Sequence, residues 1–86
     1  MASYDVRIKP GAAKELGRVP LQDRRRLVAR IRDLAVEPRP AGAEKPSELP
    51  LYRLRQGSYR VVYEIADRDR LVTVFRIAHR RDVYRQ

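Results

Sequence analysis

Cysteine and tryptophan are absent from the 86 residues of this chain, and histidine occurs once. Without cysteine there is no disulfide scaffold and no thiolate zinc site, and one histidine argues against a histidine-based metal cage, so we expect no metal or other cofactor. No apolar stretch approaches the ~20 residues that cross a bilayer, and the N-terminus lacks the basic, apolar and small segments of a signal peptide. We therefore expect a cytoplasmic protein that has no membrane partner.

Positive charge is abundant: 20 Lys+Arg face 11 Asp+Glu, and 17 of the 20 are arginine. The hydrophobic content of 43% is enough for a core, and the length predicts a single domain over residues 1–86. The charge favours a polyanionic partner such as RNA, DNA, an acidic protein or a membrane surface. The arginine excess fits phosphate recognition and fits codon bias in a GC-rich genome equally well, so composition leaves both open.

Hydrophobic periodicity in the first half predicts one strand and two helices. Residues 3–9 alternate between apolar and polar, which is typical of a half-buried strand, and Pro10 and Gly11 should end it. A short helix is expected over 12–18. A second helix is expected over 21–36, where apolar residues form one stripe.

The second half is predicted to be β-structure. Four of the six prolines lie in 37–50, which indicates a surface connector. Alternating runs then predict strands over 51–55, 58–66 and 71–78, the last one central and covered on both faces, before a basic tail over 79–86. The predicted order is β-α-α-β-β-β, an α+β domain with a helical hairpin packed on a mainly antiparallel sheet.

Cationic side chains gather on the predicted sheet face that is opposite the apolar one. They come from neighbouring strands and from the end of the last strand, with an aromatic residue after them: Arg53, Arg55, Arg60, Arg80, Arg81 and Tyr84. Guanidinium groups beside an aromatic ring suit single-stranded RNA, and clustered cations suit phosphoryl transfer. The solvated side of a sheet gives the same pattern, so both interpretations stay open. His79 fits a surface or hydrogen-bonding role, and Tyr84 fits either a core plug or a stacking platform.

Two strings carry a family resemblance. YRLRQGSYRVVYEI at 52–65 and IAHRRDVYR at 77–85 resemble the RelE/ParE toxin superfamily, and together they are closer to its RelE side. The strand order, the proline-rich connector and the length agree with that superfamily. The resemblance implies the toxin of a bacterial type II toxin–antitoxin system that acts as an mRNA interferase. Such enzymes cut mRNA in the ribosomal A site without a metal, by attack of the 2′-hydroxyl on the adjacent phosphate.

The resemblance also implies roles for individual residues. Arg60 matches the strand arginine that holds the phosphate, and Arg80 matches the arginine that stabilises or protonates the leaving group. Tyr84 matches the tail tyrosine that stacks on or orients a nucleotide. The residues expected to contact substrate around them are Arg53, Arg81 and His79.

Arg53 and Arg55 depart from the family, which has lysine at these two positions. A lysine with a depressed pKa can act as a general base, whereas an arginine cannot be deprotonated in a protein. Arg55 would therefore act electrostatically, and the base would have to be another group, such as Tyr84 or His79.

Other functions remain as alternatives. A ParE-like toxin would inhibit DNA gyrase by binding and would not cut RNA. A purely binding module would recognise only an antitoxin or operator DNA. In either toxin interpretation the expected partners include an acidic, amphipathic antitoxin that forms a hetero-oligomer with this chain, which is a monomer or weak dimer when free. The RelE-like interpretation adds the ribosome and mRNA.

Overall fold

A five-stranded sheet carries two helices on one face. The computed structural model describes residues 3–46 and 48–83, whose elements in chain order are β1 (Asp5–Ile8), α1 (Pro10–Gly17), α2 (Leu21–Asp33), β2 (Ala43–Glu44), β3 (Leu51–Gln56), β4 (Tyr59–Ala66), β5 (Leu71–His79) and α3 (Arg80–Val83). The sheet order is β1-β5-β4-β3-β2, and only β1 and β5 are parallel. The predicted α+β class and mainly antiparallel sheet are confirmed.

The core lies between the helices and one face of the sheet. The stripe predicted on the second helix is buried at Leu27, Ile31 and Leu34. The sheet side chains that meet the helices come from the three central strands: Leu54, Val61, Tyr63, Val72, Val74 and Ile77. Burial of such side chains stabilises the fold by about 1.5–3 kcal/mol each. Burial also raises the pKa of the Tyr63 hydroxyl to about 12, and this hydroxyl donates a 2.8 Å hydrogen bond to the carbonyl oxygen of Pro38.

The element ends differ from the sequence prediction for local reasons. Pro10 begins α1 rather than ending the region before it, because proline has the helical φ and needs no partner for an N–H at the first helical position. The second helix ends at Asp33, three residues early. Leu34, Ala35 and Val36 follow it in tighter turns, each donating its N–H to the carbonyl three residues before.

The expectation that β5 is covered on both faces is wrong. β5 does lie inside the sheet, between β1 and β4. Both helices pack on the same face, however, so Leu71 and Thr73 on the other face are only partly buried. The apolar run of β5 therefore does not indicate a second layer of helices on that face.

The connector contains β2, a two-residue strand that was not predicted and that pairs with β3. Arg39 ties the same connector to the turn between β4 and β5, with two hydrogen bonds of 2.8 and 3.2 Å to the carboxylate of Asp67. Tyr4 donates a 2.7 Å hydrogen bond to the same carboxylate, and Arg39 Nε donates one of 3.1 Å to the hydroxyl of Tyr52. Within the described residues, no helix has the length and apolar character to cross a membrane.

Candidate active site

Three arginines surround a small cavity on the sheet face away from the helices. Arg53, Arg55 and Arg60 line it together with Gly42 and Glu44, and its volume is about 110 Å³. We call it the arginine cavity. Liquid water occupies about 30 Å³ per molecule, so the cavity has room for a few water-sized groups.

Strand register explains why these side chains meet. Arg55 lies directly opposite Arg60 in the β3–β4 pair, and Glu44 lies directly opposite Arg53 in the β2–β3 pair. Opposite residues of an antiparallel pair have Cβ atoms about 4.5–5.5 Å apart and point to the same face. Because Leu54 points into the core, its neighbours Arg53 and Arg55 point the other way.

The cavity concentrates positive charge in a partly desolvated place. Arg53 and Arg60 are half-buried, Arg55 is exposed, and Nη1 of Arg60 is itself buried. Like charges at this spacing repel one another, so an anion that bridges them is stabilised more than it would be at a flat, solvated surface. The planar guanidinium groups supply paired N–H donors that match the oxygens of a phosphate or a carboxylate.

Arg80 and Arg81 begin α3 and are exposed. The N–H of Arg80 donates a 2.7 Å hydrogen bond to the carbonyl of Ser58, which lies two residues before Arg60. Arg80 therefore sits at the end of the sheet next to the β3–β4 turn, beside the arginine cavity rather than in its lining. Tyr84 lies outside the described residues.

His79 lies on the other side of the sheet from the arginine cavity. It pairs with Tyr59, whose face carries Val61 and the core, and the two rings meet edge to face at 5.4 Å. Its Nδ1 accepts a 3.3 Å hydrogen bond from the N–H of Arg81. A separate cavity of about 210 Å³ includes His79 together with Glu15 and Arg18 of the first helix region. The sequence grouped His79 with the arginines, whereas the sheet separates them.

Glu44 and Gly42 are the site residues that sequence reasoning missed. A two-residue strand has too few positions to show any periodicity, so no local signal marks β2. Only its pairing with β3 brings a carboxylate to the arginines. Among the described residues, no group of three or more histidine and acidic side chains is close enough together to hold a metal ion.

Comparison with known proteins gives relatives that align with most of the chain. Toxin RelG of Mycobacterium tuberculosis is 33% identical over 89 aligned positions, which cover 96% of this chain and 98% of the relative. The toxin–antitoxin complex RelBE2 of M. tuberculosis has a chain of 26% identity and TM-score 0.79, over 90% of this chain and 98% of that one. The archaeal RelE–RelB complex of Pyrococcus horikoshii has a chain of 28% identity and TM-score 0.79, over 91% of this chain and 96% of that one.

A family model described as the ParE toxin of the type II toxin–antitoxin system parDE matches residues 6–84. This match spans the helices, the sheet and the arginine cavity. The resemblance to the RelE/ParE superfamily is thereby confirmed. The chain belongs to this family of ParE toxins within the RelE/ParE superfamily, and it is a toxin of a type II toxin–antitoxin system.

Proposed function

We propose that this toxin is a ribosome-dependent mRNA endonuclease that cleaves in the A site without a metal and so inhibits translation. The observation that carries the proposal is the convergence of Arg53, Arg55 and Arg60 on one cavity, with Arg80 beside it. The relatives named RelE and RelG support this branch of the superfamily.

The reaction is a transesterification in which the ribose 2′-oxygen attacks the adjacent phosphorus. Arg55 and Arg60 hold the phosphate oxygens and stabilise the charge that grows on them in the transition state. Arg80 stabilises the 5′-oxygen as it leaves. Loss of one such positioned donor typically costs about 10²–10³ in rate. The products are a cyclic 2′,3′-phosphate and a free 5′-hydroxyl.

The remaining arginines are assigned to binding. Arg53 and Arg81 contact flanking phosphates, and Tyr84 stacks on or orients a nucleotide. We give His79 no role in this reaction, because it points to the opposite face of the sheet from the arginine cavity. The ribosome supplies the geometry of the mRNA, which a small and open site does not impose by itself.

An antitoxin is the expected protein partner. The structures from M. tuberculosis and P. horikoshii are complexes of a toxin with its antitoxin. A chain of net charge +9 attracts an acidic partner, and an acidic segment over the arginine cavity would exclude mRNA.

A second candidate function is inhibition of DNA gyrase by binding. The family model that matches this chain is described as a ParE toxin, which favours that branch. In this case the arginine cavity is a docking surface for an acidic partner, and neither RNA nor DNA is cut by the toxin.

Primer extension on mRNA from programmed ribosomes tests the proposal. We expect a stop within the A-site codon with the wild type, and its loss with Arg60→Ala and with Arg80→Ala. Arg68→Ala is the matched control, because this exposed arginine lies in the turn at the far end of the β4–β5 hairpin. It should cleave like the wild type.

Two results would contradict the proposal. One is the absence of any stop with the wild type while translation proceeds, which would favour the gyrase-binding branch. The other is equal cleavage by the wild type and both site variants, which would remove the arginine cavity from the reaction.

A further inference from the structure

We propose that Glu44 is the general base that takes the proton from the attacking 2′-hydroxyl. The inference rests on the proposed endonuclease function and adds to it the group that arginine cannot supply. A guanidinium group stays protonated in proteins, so Arg53, Arg55 and Arg60 can stabilise charge but cannot accept a proton. Among the described residues that line the arginine cavity, Glu44 alone carries a side chain that accepts one.

The fold directs this carboxylate at the arginines. In the β2–β3 pair, Ala43 is opposite Leu54 and Glu44 is opposite Arg53. Ala43 packs against the core, so the alternation of a strand turns Glu44 to the arginine face. Its Cβ then lies about 4.5–5.5 Å from that of Arg53.

The backbone before Glu44 is built for this placement. Gly42 has a φ of 93°, a conformation that side-chain-bearing residues rarely adopt, and it turns the connector into β2. The N–H of Ala43 donates a 3.0 Å hydrogen bond to the carbonyl of Pro40, which fixes the turn. These backbone features of the connector therefore fix the position of Glu44 at the arginine cavity.

The carboxylate of Glu44 is accessible for proton transfer. The residue is exposed, and within the described part of the chain it makes no side-chain hydrogen bond and no ion pair shorter than 4 Å. Its oxygens are thus available to a hydroxyl group. In the proposed complex the arginines hold the phosphate next to it, and the ribose of the preceding nucleotide lies at the rim of the cavity beside Glu44.

The step balances without any other reactant. Glu44 takes the proton of the 2′-hydroxyl, the 2′-oxygen forms a bond to phosphorus, and the bond from phosphorus to the 5′-oxygen breaks. The 5′-oxygen leaves with the electron pair, is stabilised by Arg80 and takes a proton from water. Glu44 returns its proton to solvent, so no charge or atom is left over.

The test is single-turnover cleavage by Glu44→Gln on programmed ribosomes. Positioned general bases contribute about 10²–10⁴ in rate, so we expect a loss in that range with unchanged ribosome affinity. The wild-type rate should rise with pH along an acid limb, and this limb should be missing in the variant. Glu44→Asp, which keeps a carboxylate, should retain part of the rate and the limb.

Glu64→Gln is the matched control. Glu64 lies on β4 on the same sheet face, four residues and so about 13 Å along the strand from Arg60, and it does not line the cavity. It should cleave like the wild type. Circular dichroism and thermal unfolding of each variant show that the fold is intact.

A substrate with a sulfur atom in place of the 5′-oxygen separates the base from the other groups. A thiolate leaves without assistance, so this mRNA should rescue Arg80→Ala and should not rescue Glu44→Gln. Rescue of Glu44→Gln would overturn the inference, because it would place Glu44 on the leaving-group side.

The outcomes distinguish this inference from the function on which it rests. If the wild type does not cleave, the proposed function fails. If the wild type cleaves and Glu44→Gln cleaves as fast with the same pH profile, the function stands and Glu44 is not the base. A third outcome concerns Arg53. If Arg53→Ala lowers the cleavage rate by the same factor as Glu44→Gln, and the variant with both substitutions is no slower, Glu44 only orients Arg53 and the inference is overturned.

Discussion

At the residue scale, the arginine and carboxylate side chains of the cavity differ in their chemistry. Arg55 and Arg60 face each other across two strands, which concentrates charge for a phosphate but provides no proton acceptor. A substitution of lysine by arginine at such a position keeps the charge and removes the acid–base chemistry. The structure brings Glu44, a residue of another strand, to the same cavity, and in our proposal its carboxylate is the proton acceptor that the arginines cannot provide.

A second residue-scale feature is the carboxylate of Asp67, which receives three hydrogen bonds. The hydrogen bonds from Arg39 have the larger effect and the one from Tyr4 the smaller. Together they lower the pKa of the Asp67 carboxyl to about 2. The Arg39 side chain also lies over the ring of Tyr52 at 5.5 Å. This network joins the connector, the β4–β5 turn and the residue before β1.

The Asp67 network should weaken in acid. The unfolded chain has an aspartate pKa near 3.9, above the folded value of about 2, so the stabilisation is complete above about pH 4 and is lost as the pH falls toward 2. We expect Asp67→Asn to lower the melting temperature at pH 5, with a difference from the wild type that shrinks by pH 2. Thermal unfolding across this range measures it. Asp69→Asn, in the same turn, is the control, and an equal pH dependence in both variants would contradict the prediction.

At the scale of elements, the β3–β4 hairpin sets the position of all three cavity arginines. Its two-residue turn has Gly57 at a φ of 60°, while Ser58 does not have a positive φ. This is the pattern of a type II′ turn, which matches the right-handed twist of the strands and favours glycine at its first central position. The register that places Arg55 opposite Arg60 follows from this turn.

Gly57→Ala should therefore destabilise the protein although space is available for the added methyl group. The backbone conformation rather than a clash is the cause, and the expected cost is of order 1–3 kcal/mol. Gly11→Ala is the matched control, since Gly11 lies in α1 with open space around it, and there alanine should be neutral or stabilise by about 0.4–1 kcal/mol. Urea unfolding measures both, and equal effects would show that the turn imposes no strain.

At the scale of the whole molecule, positive charge is carried on both sides of the sheet, by the arginines of α2 as well as by those of the arginine cavity. One face carries the helices and the core, and the other carries the arginine cavity. With a net charge of +9, the chain is expected to approach polyanions quickly at low salt. Under the proposed function, the ribosome and an acidic antitoxin compete for the same positively charged surface of the toxin.

Ribosome binding should consequently weaken steeply with salt. Each phosphate contact releases counterions, so the logarithm of the affinity falls with the logarithm of salt concentration by about 0.7–0.9 per contact. We expect Arg55→Ala to reduce this slope by about 1, and Arg68→Ala to leave it unchanged. Sedimentation binding between ~50 and ~200 mM salt measures the slope. An unchanged slope in Arg55→Ala would exclude a phosphate contact at this residue.

Most of the fold was predictable because its elements have strong local patterns. The stripe of Leu27, Ile31 and Leu34 predicts a helix, and alternation in 51–66 predicts a hairpin with arginines on its outer face. Element ends were less predictable, since at Pro10 the same residue is compatible with ending a strand and with beginning a helix. The resemblance to the toxin superfamily rests on the contiguous strings at 52–65 and 77–85, so it could be found from the sequence without coordinates.

The sequence by itself determined the α+β class, the outward face of Arg53, Arg55 and Arg60, and the superfamily, because each is encoded in short-range periodicity or in contiguous strings. Only the tertiary structure decided that Glu44 lies beside the arginines and that His79 lies on the opposite face of the sheet. Both depend on which residue of a distant strand lies opposite which, and a shift of one position reverses the face of every side chain. The composition of the cavity is therefore a property of strand register, which local patterns do not specify.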